Sequence, residues 1–344
     1  MADKENIDSI SKKDYIYSMS SIIPKLKKSG LTGRGGGGFP TGKKWELVKK
    51  AEGKEKYIVC NGSEGEPGVF KDEDILEKYP EMLVEGIALA LKEIPKSKAY
   101  IFLNKEYYKK FKPTLAKLAK DLPIKFVKKK GGYLSGEETT LLNEIEKAEN
   151  YEPRLKPPYP TQSGLFGCPT LINNVETFYH IAQIAKNEYK KTRLYSISGD
   201  VKHKGVYELP ESHTAEKILK ETDNYPARSF FVQTGGGAIG EILLQKELRQ
   251  KVEGAGAIIV YDKKKTDPFK LMQKWAKFFM EGNCDKCVPC REGIYRIHEM
   301  LKSKKLDKKI LDELFFVMKE TSFCPLGSWA YLPFKTLCEK LKLK

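Results

Sequence analysis

The residues most suited to chemistry are four cysteines near the C-terminal end of the chain. Cys284, Cys287 and Cys290 form a Cys-x2-Cys-x2-Cys run, and Cys324 follows with a proline after it. Four thiolates are the ligand set of a cubane iron–sulfur cluster, in which one short loop binds three corners and a distant cysteine the fourth. Zinc is the alternative metal, but its sites usually take cysteines as two separated pairs or with histidine. The spacing favours a [4Fe–4S] cluster and leaves zinc open.

A glycine-rich run lies far upstream of these cysteines, between Gly33 and Gly38. Glycine lets backbone N–H groups approach an anion closely and adopts positive φ at little cost. Residues 42–51 predict a helix directly after the run, so the helix N-terminus would point towards a phosphate. Arg34 and Lys44 add positive charge. A flexible surface loop is the alternative interpretation of such a run.

Two polar turns carry paired glutamates. Residues 57–60 predict a buried strand that opens into the first turn, residues 61–68. Open α/β sheets bind ligands where their strands end in this way. The second turn, residues 131–139, contains Glu137 and Glu138. Carboxylates at this position could bind the ribose hydroxyls of a cofactor or take part in proton transfer. Capping of the following helix explains this pair of glutamates equally well.

Composition describes the protein that must carry these sites. At 344 residues with 40% hydrophobic residues, the chain is long enough for two or three packed domains. The net charge of +16 suits a nucleic-acid binder, but the lysines are spread over helix faces, so a lysine-rich surface is the simpler interpretation. Residues 1–13 are charged and no run is apolar enough to span a membrane, which predicts a cytoplasmic protein. The other cysteines, Cys60, Cys168 and Cys338, are expected to be small apolar residues.

Hydrophobic periodicity predicts the elements around these motifs. Residues 194–201 and 205–209 predict a hairpin, and Gly235 to Gly237 predict a turn at a strand exit rather than a second phosphate loop. The cluster cysteines are expected on loops of a helical bundle. The remaining predicted helices are residues 78–91, 140–148, 214–221, 267–279, 291–301 and 308–319, and the remaining predicted strands are residues 99–103, 230–233 and 257–261.

Taken in order, these motifs resemble the 51 kDa flavoprotein subunit of respiratory complex I and its homologues in NAD-linked hydrogenases and formate dehydrogenases. The resemblance implies an α/β fold with a Rossmann-like FMN- and NAD(H)-binding domain over residues 1–190. A small β-grasp (ubiquitin-like) module would cover residues 191–262, and a helical bundle with an iron–sulfur cluster residues 263–344. The matching segments are residues 33–45, 61–72, 131–142, 153–160 and 164–177 and the cysteine region.

The resemblance also implies roles for individual residues. Glu64 and Glu138 would be catalytic at the nicotinamide, and the four cysteines would bind the [4Fe–4S] cluster. The residues expected to bind FMN or line its pocket are Gly33, Arg34, Gly35, Gly36, Lys44, Asn61, Glu64, Glu66, Gly136, Glu137, Glu138, Asn173 and Asn174. The residues expected to contact NADH are Phe39, Tyr133, Lys156 and Tyr159.

The chain departs from the family pattern at two positions near the expected cofactor site. Ser63 stands where the family commonly has an aspartate near the flavin ribityl chain, so a hydroxyl replaces an acidic ligand and a lower affinity for FMN is expected. Tyr159 replaces a phenylalanine and keeps an aromatic face for stacking.

The implied activity is that of an NADH dehydrogenase (diaphorase) subunit. A nicotinamide gives up a hydride, whereas an iron–sulfur cluster accepts one electron, so a flavin must stand between them. The four clustered cysteines provide for one cubane, so electrons must leave to partners: a small thioredoxin-like [2Fe–2S] subunit and a larger iron–sulfur subunit. Neither nucleic acid nor a direct membrane span is expected, and any membrane association would be peripheral.

Two alternatives to this function remain open at this stage. One is an electron-transfer scaffold of a bifurcating hydrogenase or transhydrogenase complex without its own NADH oxidation. The other is a zinc-stabilised nucleic-acid binder.

Overall fold

The computed structural model describes residues 20–149 and 151–343. The charged segment formed by residues 1–13 lies outside this part of the chain. Among the helices of the described residues, none is both long enough and apolar enough to cross a membrane.

The first sheet has four parallel strands: β1 (Lys56–Gly62), β2 (Ser97–Leu103), β3 (Ile124–Lys128) and β4 (Thr170–Asn174). Their order is β3-β2-β1-β4. The chain therefore moves outwards from β1 to β3 and returns to the other side of β1. This reversal opens a crevice at the carboxyl ends of β1 and β4, where ligands of open α/β sheets bind.

Helices cover both faces of this sheet, because its strands are apolar on both sides. In β1, Ile58 and Cys60 belong to one buried cluster, and Tyr57 and Val59 belong to another on the opposite face. The helices of this part are α1 (Ile23–Ser29), α2 (Thr41–Lys50), α3 (Lys71–Lys78), α4 (Pro80–Glu93), α5 (Lys105–Leu118), α6 (Glu138–Ile145) and α7 (Val175–Ala185).

Two of the predicted helices differ from the observed ones. The helix expected over residues 78–91 is interrupted at Tyr79, which separates α3 from α4. Pro80 explains the break, since proline lacks an N–H and disfavours helical geometry in the residue before it. The helix expected over residues 140–148 runs instead from Glu138 to Ile145, because Glu137 caps it by accepting hydrogen bonds from the N–H groups of Thr139 and Thr140.

A second, mixed sheet follows, with the order β6-β5-β9-β7-β8. Its first two strands form the antiparallel hairpin that the sequence predicts. One helix packs on a face of this sheet through Ile218 and Leu219. The elements are β5 (Thr192–Gly199), β6 (Gly205–Pro210), α8 (Ala215–Glu221), β7 (Phe230–Thr234), β8 (Glu241–Leu244) and β9 (Ala257–Asp262).

The C-terminal part of the described chain is helical and shares its core with the second sheet. Phe231 of β7 and Ile242 of β8 lie in the same buried cluster as Trp275 and Phe334. The Ile242 N–H also donates to the Thr336 hydroxyl at 3.1 Å. The helices are α9 (Pro268–Gly282), α10 (Val288–Ser303), α11 (Lys308–Thr321), α12 (Pro325–Trp329) and α13 (Tyr331–Leu341).

Candidate cofactor sites

The glycine run forms a closed loop that ends at the start of α2. The Gly33 N–H donates to the Phe39 carbonyl at 2.9 Å, which ties the two ends of the loop together. Gly36 and Gly38 have φ values of 105° and 62°, a conformation that side chains disfavour. A Cβ placed on Gly36, Gly37 or Gly38 would meet nothing within 4 Å. The loop therefore borders open space, into which a ligand can fit.

The N-terminus of α2 adds an uncapped helix start beside this loop, with the Thr41 N–H paired to the Leu31 carbonyl. Its N-cap is Pro40, which supplies no side-chain cap, and its first turn contains no acidic residue. The Thr41 hydroxyl is buried and has no hydrogen-bond partner among the described residues. A helix start with free N–H groups and positive dipole end is suited to a phosphate.

Asparagines mark the carboxyl ends of the two central strands. Asn61 of β1 is paired in register with Asn174 of β4, next to Asn173. The Asn61 side chain donates to the Gly136 carbonyl at 2.9 Å. The Asn173 Oδ1 atom is buried without a partner in the described part of the chain. Because buried polar groups are almost always paired, this acceptor fits a donor that arrives with a bound cofactor.

Two lysines and two glutamates surround the same opening. Lys156 Nζ lies 3.0 Å from Glu137 Oε1 and 3.0 Å from Glu138 Oε1. Lys44 Nζ lies 3.6 Å from Glu138 Oε2 and donates to the Ile172 carbonyl at 3.1 Å. Burial opposes ionisation of Glu137, but Lys156 and the helix N–H groups outweigh it and lower the pKa. This group of charges is suited to binding hydroxyl and amide groups of a dinucleotide.

A buried ionic network lies behind the strand ends. Lys71 Nζ contacts Asp72 Oδ1 at 2.6 Å, Glu176 Oε2 at 3.2 Å and Asn174 Oδ1 at 3.1 Å. The Asn174 amide donates to Asp72 Oδ2 at 2.6 Å. The network fixes the orientation of Asn174, because both its amide oxygen and its amide nitrogen are engaged.

Glu64 joins this network through the start of α3. Its carboxylate accepts hydrogen bonds from the Asp72 N–H at 3.1 Å and the Tyr107 hydroxyl at 2.7 Å. Burial, with the Asp72 charge second, raises the pKa of Glu64 to about 8. The structure thus turns the Glu64 carboxylate towards a helix N-terminus, although the sequence suggests that it lines the nicotinamide.

Two further side chains expected at the cofactor are paired with residues far along the chain. The Arg34 guanidinium contacts Glu211 at 2.5 Å and the Tyr189 hydroxyl at 3.0 Å, and its role at the cofactor stays a prediction. The Glu66 carboxylate accepts from the N–H groups of Ala238 and Ile239 at 2.7 and 3.2 Å. Both side chains join the first sheet to the second, which local sequence patterns do not indicate.

The aromatic residues expected to contact NADH differ in exposure. Phe39 and Tyr159 are 42% and 54% exposed, so their rings are free to stack on a ligand. Tyr133 is half-buried and packs against Phe278, with ring centroids 4.9 Å apart, and its hydroxyl donates to Glu66. Tyr133 is therefore part of the pocket wall rather than an exposed stacking surface.

Sequence reasoning missed several charged residues at this edge of the sheet. Lys71, Asp72 and Glu176 are almost fully buried, and their positions in helices give no periodic signal of burial. Lys129, just after β3, donates to the Ser63 carbonyl at 3.2 Å, and burial lowers its pKa to about 8. A lysine in a lysine-rich segment resembles a surface residue, so tertiary contacts alone identify it.

All four predicted cluster ligands line one pocket in the helical region. Cys284 lies in the loop after α9, and Cys287 and Cys324 are the N-cap residues of α10 and α12. Cys290 lies in the first turn of α10, so the expectation that every cysteine stands on a loop is wrong. A Cβ on Gly327 would come within 3.0 Å of the Cys290 Cβ, which shows how closely α12 approaches α10.

The arrangement of these thiols favours a cluster over a single zinc ion. Burial and the neighbouring cysteines raise the pKa of Cys290, so the group needs a cation to hold its negative charge. Zn–S bonds of about 2.3 Å would draw the four sulfurs tightly around one ion. Four thiols around one pocket fit the larger iron–sulfur cubane.

Two family models match the two sites separately. Residues 26–183 match the Nuo51 FMN-binding domain, and residues 270–342 match the NADH-ubiquinone oxidoreductase-F iron-sulfur binding region. The matches span the glycine loop with both central strands, and the cysteine pocket with its helices.

Several curated proteins resemble the chain along most of its length. The second NADH-quinone oxidoreductase F protein of Rhizobium meliloti (strain 1021) is 32% identical over 91% of this chain and 85% of that protein. The corresponding F protein of Aquifex aeolicus (strain VF5) is 33% identical over 91% and 82%. The alpha chain of the NAD-reducing hydrogenase HoxS of Cupriavidus necator is 31% identical, over 93% of this chain and 59% of the hydrogenase chain.

A solved structure shows the same fold. A chain of an NAD+-reducing [NiFe]-hydrogenase in the H2-reduced state superimposes with a TM-score of 0.86 and 30% identity, covering 93% of this chain and 61% of that one. This chain thus spans less than two thirds of its hydrogenase relatives. The likeness to the NADH-quinone oxidoreductase F proteins is nearly end to end, and together with both cofactor sites it leads to one conclusion. The chain belongs to the NADH-quinone oxidoreductase F family, that of the 51 kDa flavoprotein subunit of complex I, and is an FMN- and [4Fe–4S]-dependent NADH dehydrogenase module.

Proposed function

We propose that FMN binds at the carboxyl edge of the first sheet, with the phosphate held by the loop Gly33 to Gly36 and the start of α2. Asn173 would hold a polar group of the cofactor through its unpaired Oδ1 atom, Asn61 and Asn174 would form the strand ends beside it, and Lys44 would add positive charge. The observation that carries this assignment is a glycine loop that borders open space and approaches the end of β4: a Cβ on Gly35 would lie 3.3 Å from the Asn174 Cβ, and the adjacent Asn173 has a buried, unpaired Oδ1 atom. A buried acceptor without a partner costs about 1–3 kcal/mol, which a bound donor recovers.

NADH is proposed to enter over the same opening. Phe39 and Tyr159 are exposed on the chain and would stack on the dinucleotide, while Lys156 would bind its polar groups. Bound FMN supplies the conversion of a two-electron hydride donor to a one-electron acceptor. The residues of the chain orient the reactants: Glu138 is held by Lys44 and Lys156 and would position the nicotinamide.

The two cofactor sites share one short segment, Tyr133–Gly136. Tyr133 contacts Glu66 in the flavin-side wall, and the next residue, Leu134, lines the cysteine pocket. Gly136 accepts the hydrogen bond from Asn61. This continuity supports a short route for single electrons from the flavin edge to the cluster bound by the four cysteines.

The finer domain organisation is also a proposal. A Rossmann-like domain over residues 1–190 is supported by the strand order of the first sheet, although residues 1–19 and 150 are outside the described part. A β-grasp module over residues 191–262 is supported by the five-stranded mixed sheet packed on α8. The cluster-bearing bundle would cover residues 263–344.

The relatives belong to assemblies, and we propose that this chain does too. A small thioredoxin-like [2Fe–2S] subunit and a larger iron–sulfur subunit are the proposed partners, in the cytoplasm or peripheral to a membrane complex. Large apolar side chains are exposed next to the cysteine pocket: Val288 follows Cys287, and Phe323 precedes Cys324. Such exposed side chains at an electron exit support docking of another protein.

The proposed nicotinamide role of Glu138 is tested by stopped-flow reduction of the flavin. Glu138→Gln should slow bleaching by NADH at least tenfold while FMN and iron contents stay unchanged, because glutamine keeps the size of the side chain but removes the charge that positions the nicotinamide. Glu149→Gln, an exposed substitution with the same charge change, is the control. Equal rates in the two variants would remove Glu138 from the nicotinamide site.

A further inference from the structure

The triple-glycine turn after β7 docks onto the first sheet instead of facing solvent. The N–H groups of Ala238 and Ile239 donate to Glu66 Oε1 at 2.7 and 3.2 Å. The Gly237 N–H donates to the Pro67 carbonyl at 2.8 Å. The turn thus grips both a side chain and the backbone of the segment that follows β1.

The glycines are what allow this approach. A Cβ on Gly236 would lie 2.3 Å from Glu66 Oε1, and a Cβ on Gly237 would lie 2.3 Å from the Pro67 carbonyl oxygen. Both distances are far below van der Waals contact, so any side chain at Gly236 must displace the carboxylate. The run is a turn at a strand exit, as the sequence predicts. The close contact with Glu66 explains why glycine occupies these positions.

The Glu66 carboxylate is held by neutral donors. The Tyr133 hydroxyl donates to its other oxygen, and no ion pair involves Glu66 within residues 20–149 and 151–343. Burial raises the pKa of Glu66, while the three hydrogen bonds oppose that shift. The carboxylate therefore depends on fixed donor positions, two of which belong to the second sheet.

We propose that the turn from Gly236 to Ile239 is a positioning element of the nicotinamide pocket, which clamps the Glu66 carboxylate against Tyr133 and so sets the affinity for NAD(H). This inference rests on the proposed function, in which Tyr133 and Glu66 form the flavin-side wall of the opening that NADH enters. It gives the second sheet a role in dinucleotide binding, although the sheet contributes no residue to the glycine loop or to the strand ends.

The inference makes the turn act through one side chain, which a double-mutant cycle can isolate. The variants are Gly236→Ala, Glu66→Ala and the double variant, each purified with FMN and cluster. The control is Gly205→Ala in the same sheet, where a Cβ would make ordinary contacts of 3.4–3.5 Å with Tyr207. The measurement is the NAD+ dissociation constant by titration calorimetry, together with FMN and iron contents.

We expect Gly236→Ala and Glu66→Ala each to weaken NAD+ binding about tenfold, the effect of losing one hydrogen bond to a charged group. The double variant should bind like Glu66→Ala, since no carboxylate is left to displace, and Gly205→Ala should bind like wild type. If Gly236→Ala loses its cofactors, the double variant should recover them, because the clash is gone.

Three outcomes overturn the inference. If Gly236→Ala binds NAD+ like wild type, the turn is an ordinary packing contact. The same conclusion follows if the losses of binding free energy in the two single variants add up in the double variant. Failure of the double variant to recover cofactors lost in Gly236→Ala would do the same. If Glu66→Ala binds NAD+ like wild type, Glu66 does not belong to the pocket. The error would then lie in the assignment of Glu66 and not in the contact made by the turn.

Discussion

The two cofactor sites are built in opposite ways. The cysteine pocket takes three ligands from one short stretch, Cys284 to Cys290, and lies in an apolar cluster between helices. The flavin edge assembles residues from the glycine loop, two strand ends and the turn before α6, and joins them through buried charges such as Lys71 and Glu176. A soft metal cluster needs ligands of one type at fixed spacing, whereas an anionic organic cofactor needs many different contacts.

This difference predicts how each site should fail when it is altered. The cysteine pocket should fail completely and locally, because each thiolate is a covalent-strength ligand. The flavin edge should fail by degrees, because its contacts are many and individually weak. The following predictions test that contrast, from the largest effect to the smallest.

Loss of one cysteine should have the largest effect. Cys287→Ala is expected to reduce the iron content from about four per chain to near zero, while FMN remains bound, because the cubane needs all four ligands. Cys338→Ala is the control, since Cys338 lies in the same helical region and contacts Met272 at 3.7 Å instead of the pocket. Iron analysis and the FMN spectrum give the answer, and joint loss of both cofactors would argue against independent sites.

Removal of the buried cation should have the next largest effect. Lys71→Met leaves Asp72 and Glu176 buried without compensation, so the free energy of unfolding should fall by about 3–5 kcal/mol. Lys78→Met, at the exposed end of the same helix and paired with Asp74, should cost less than about 1 kcal/mol. Denaturant unfolding measures both. Similar losses would show that the network does not carry its charges in the folded state.

Substitution in the glycine loop should be milder and specific to FMN. Gly36→Ala forces a side chain into a backbone conformation with φ 105°, which costs about 1–2 kcal/mol and should weaken FMN binding about tenfold. Gly37→Ala lacks this strain, because Gly37 has no positive φ. A flavin-release titration compares them. Greater loss in Gly37→Ala would mean that ligand proximity, and not backbone strain, governs the loop.

The smallest effect, counted for each pH unit, concerns pH. The pKa of Glu64 is about 8 in the folded protein and about 4.3 when unfolded, so the folded state retains its proton as the pH rises through this range. Stability should therefore fall between about pH 4.3 and 8, by no more than about 1.4 kcal/mol per pH unit, and level off above. Urea unfolding of wild type and Glu64→Gln from pH 5 to 9 should show a steeper decline in wild type. Parallel curves would place the folded pKa near its ordinary value.

The same contrast explains which features the sequence reveals. The cysteine spacing, the strand from Lys56 to Gly62 and the hairpin of the second sheet are local patterns, and the structure has them where periodicity predicts. The pairing of Arg34 with Glu211, and of Glu66 with the turn at Ala238, joins residues far apart in the chain. Such contacts depend on how the two sheets pack, which no local pattern specifies.

Buried charges are the other class that sequence reasoning cannot find. Lys71 and Lys78 are both lysines of α3, yet their side chains are 2% and 54% exposed. Their helix propensities and charges are the same. They differ in the partners that other elements supply, since Glu176 of α7 and Asn174 of β4 contact Lys71. The family resemblance identifies the segment but gives no role to this lysine.

The central claim is that this chain passes electrons from NADH through FMN to its own cluster. Anaerobic titration of the protein with full FMN and iron, followed by absorption and electron paramagnetic resonance, tests it most directly. We expect NADH to bleach the flavin rapidly and a reduced-cluster signal to appear in the same titration. A fully loaded protein whose flavin is bleached by neither NADH nor NADPH would contradict the account and would instead indicate an electron-transfer scaffold without NADH oxidation.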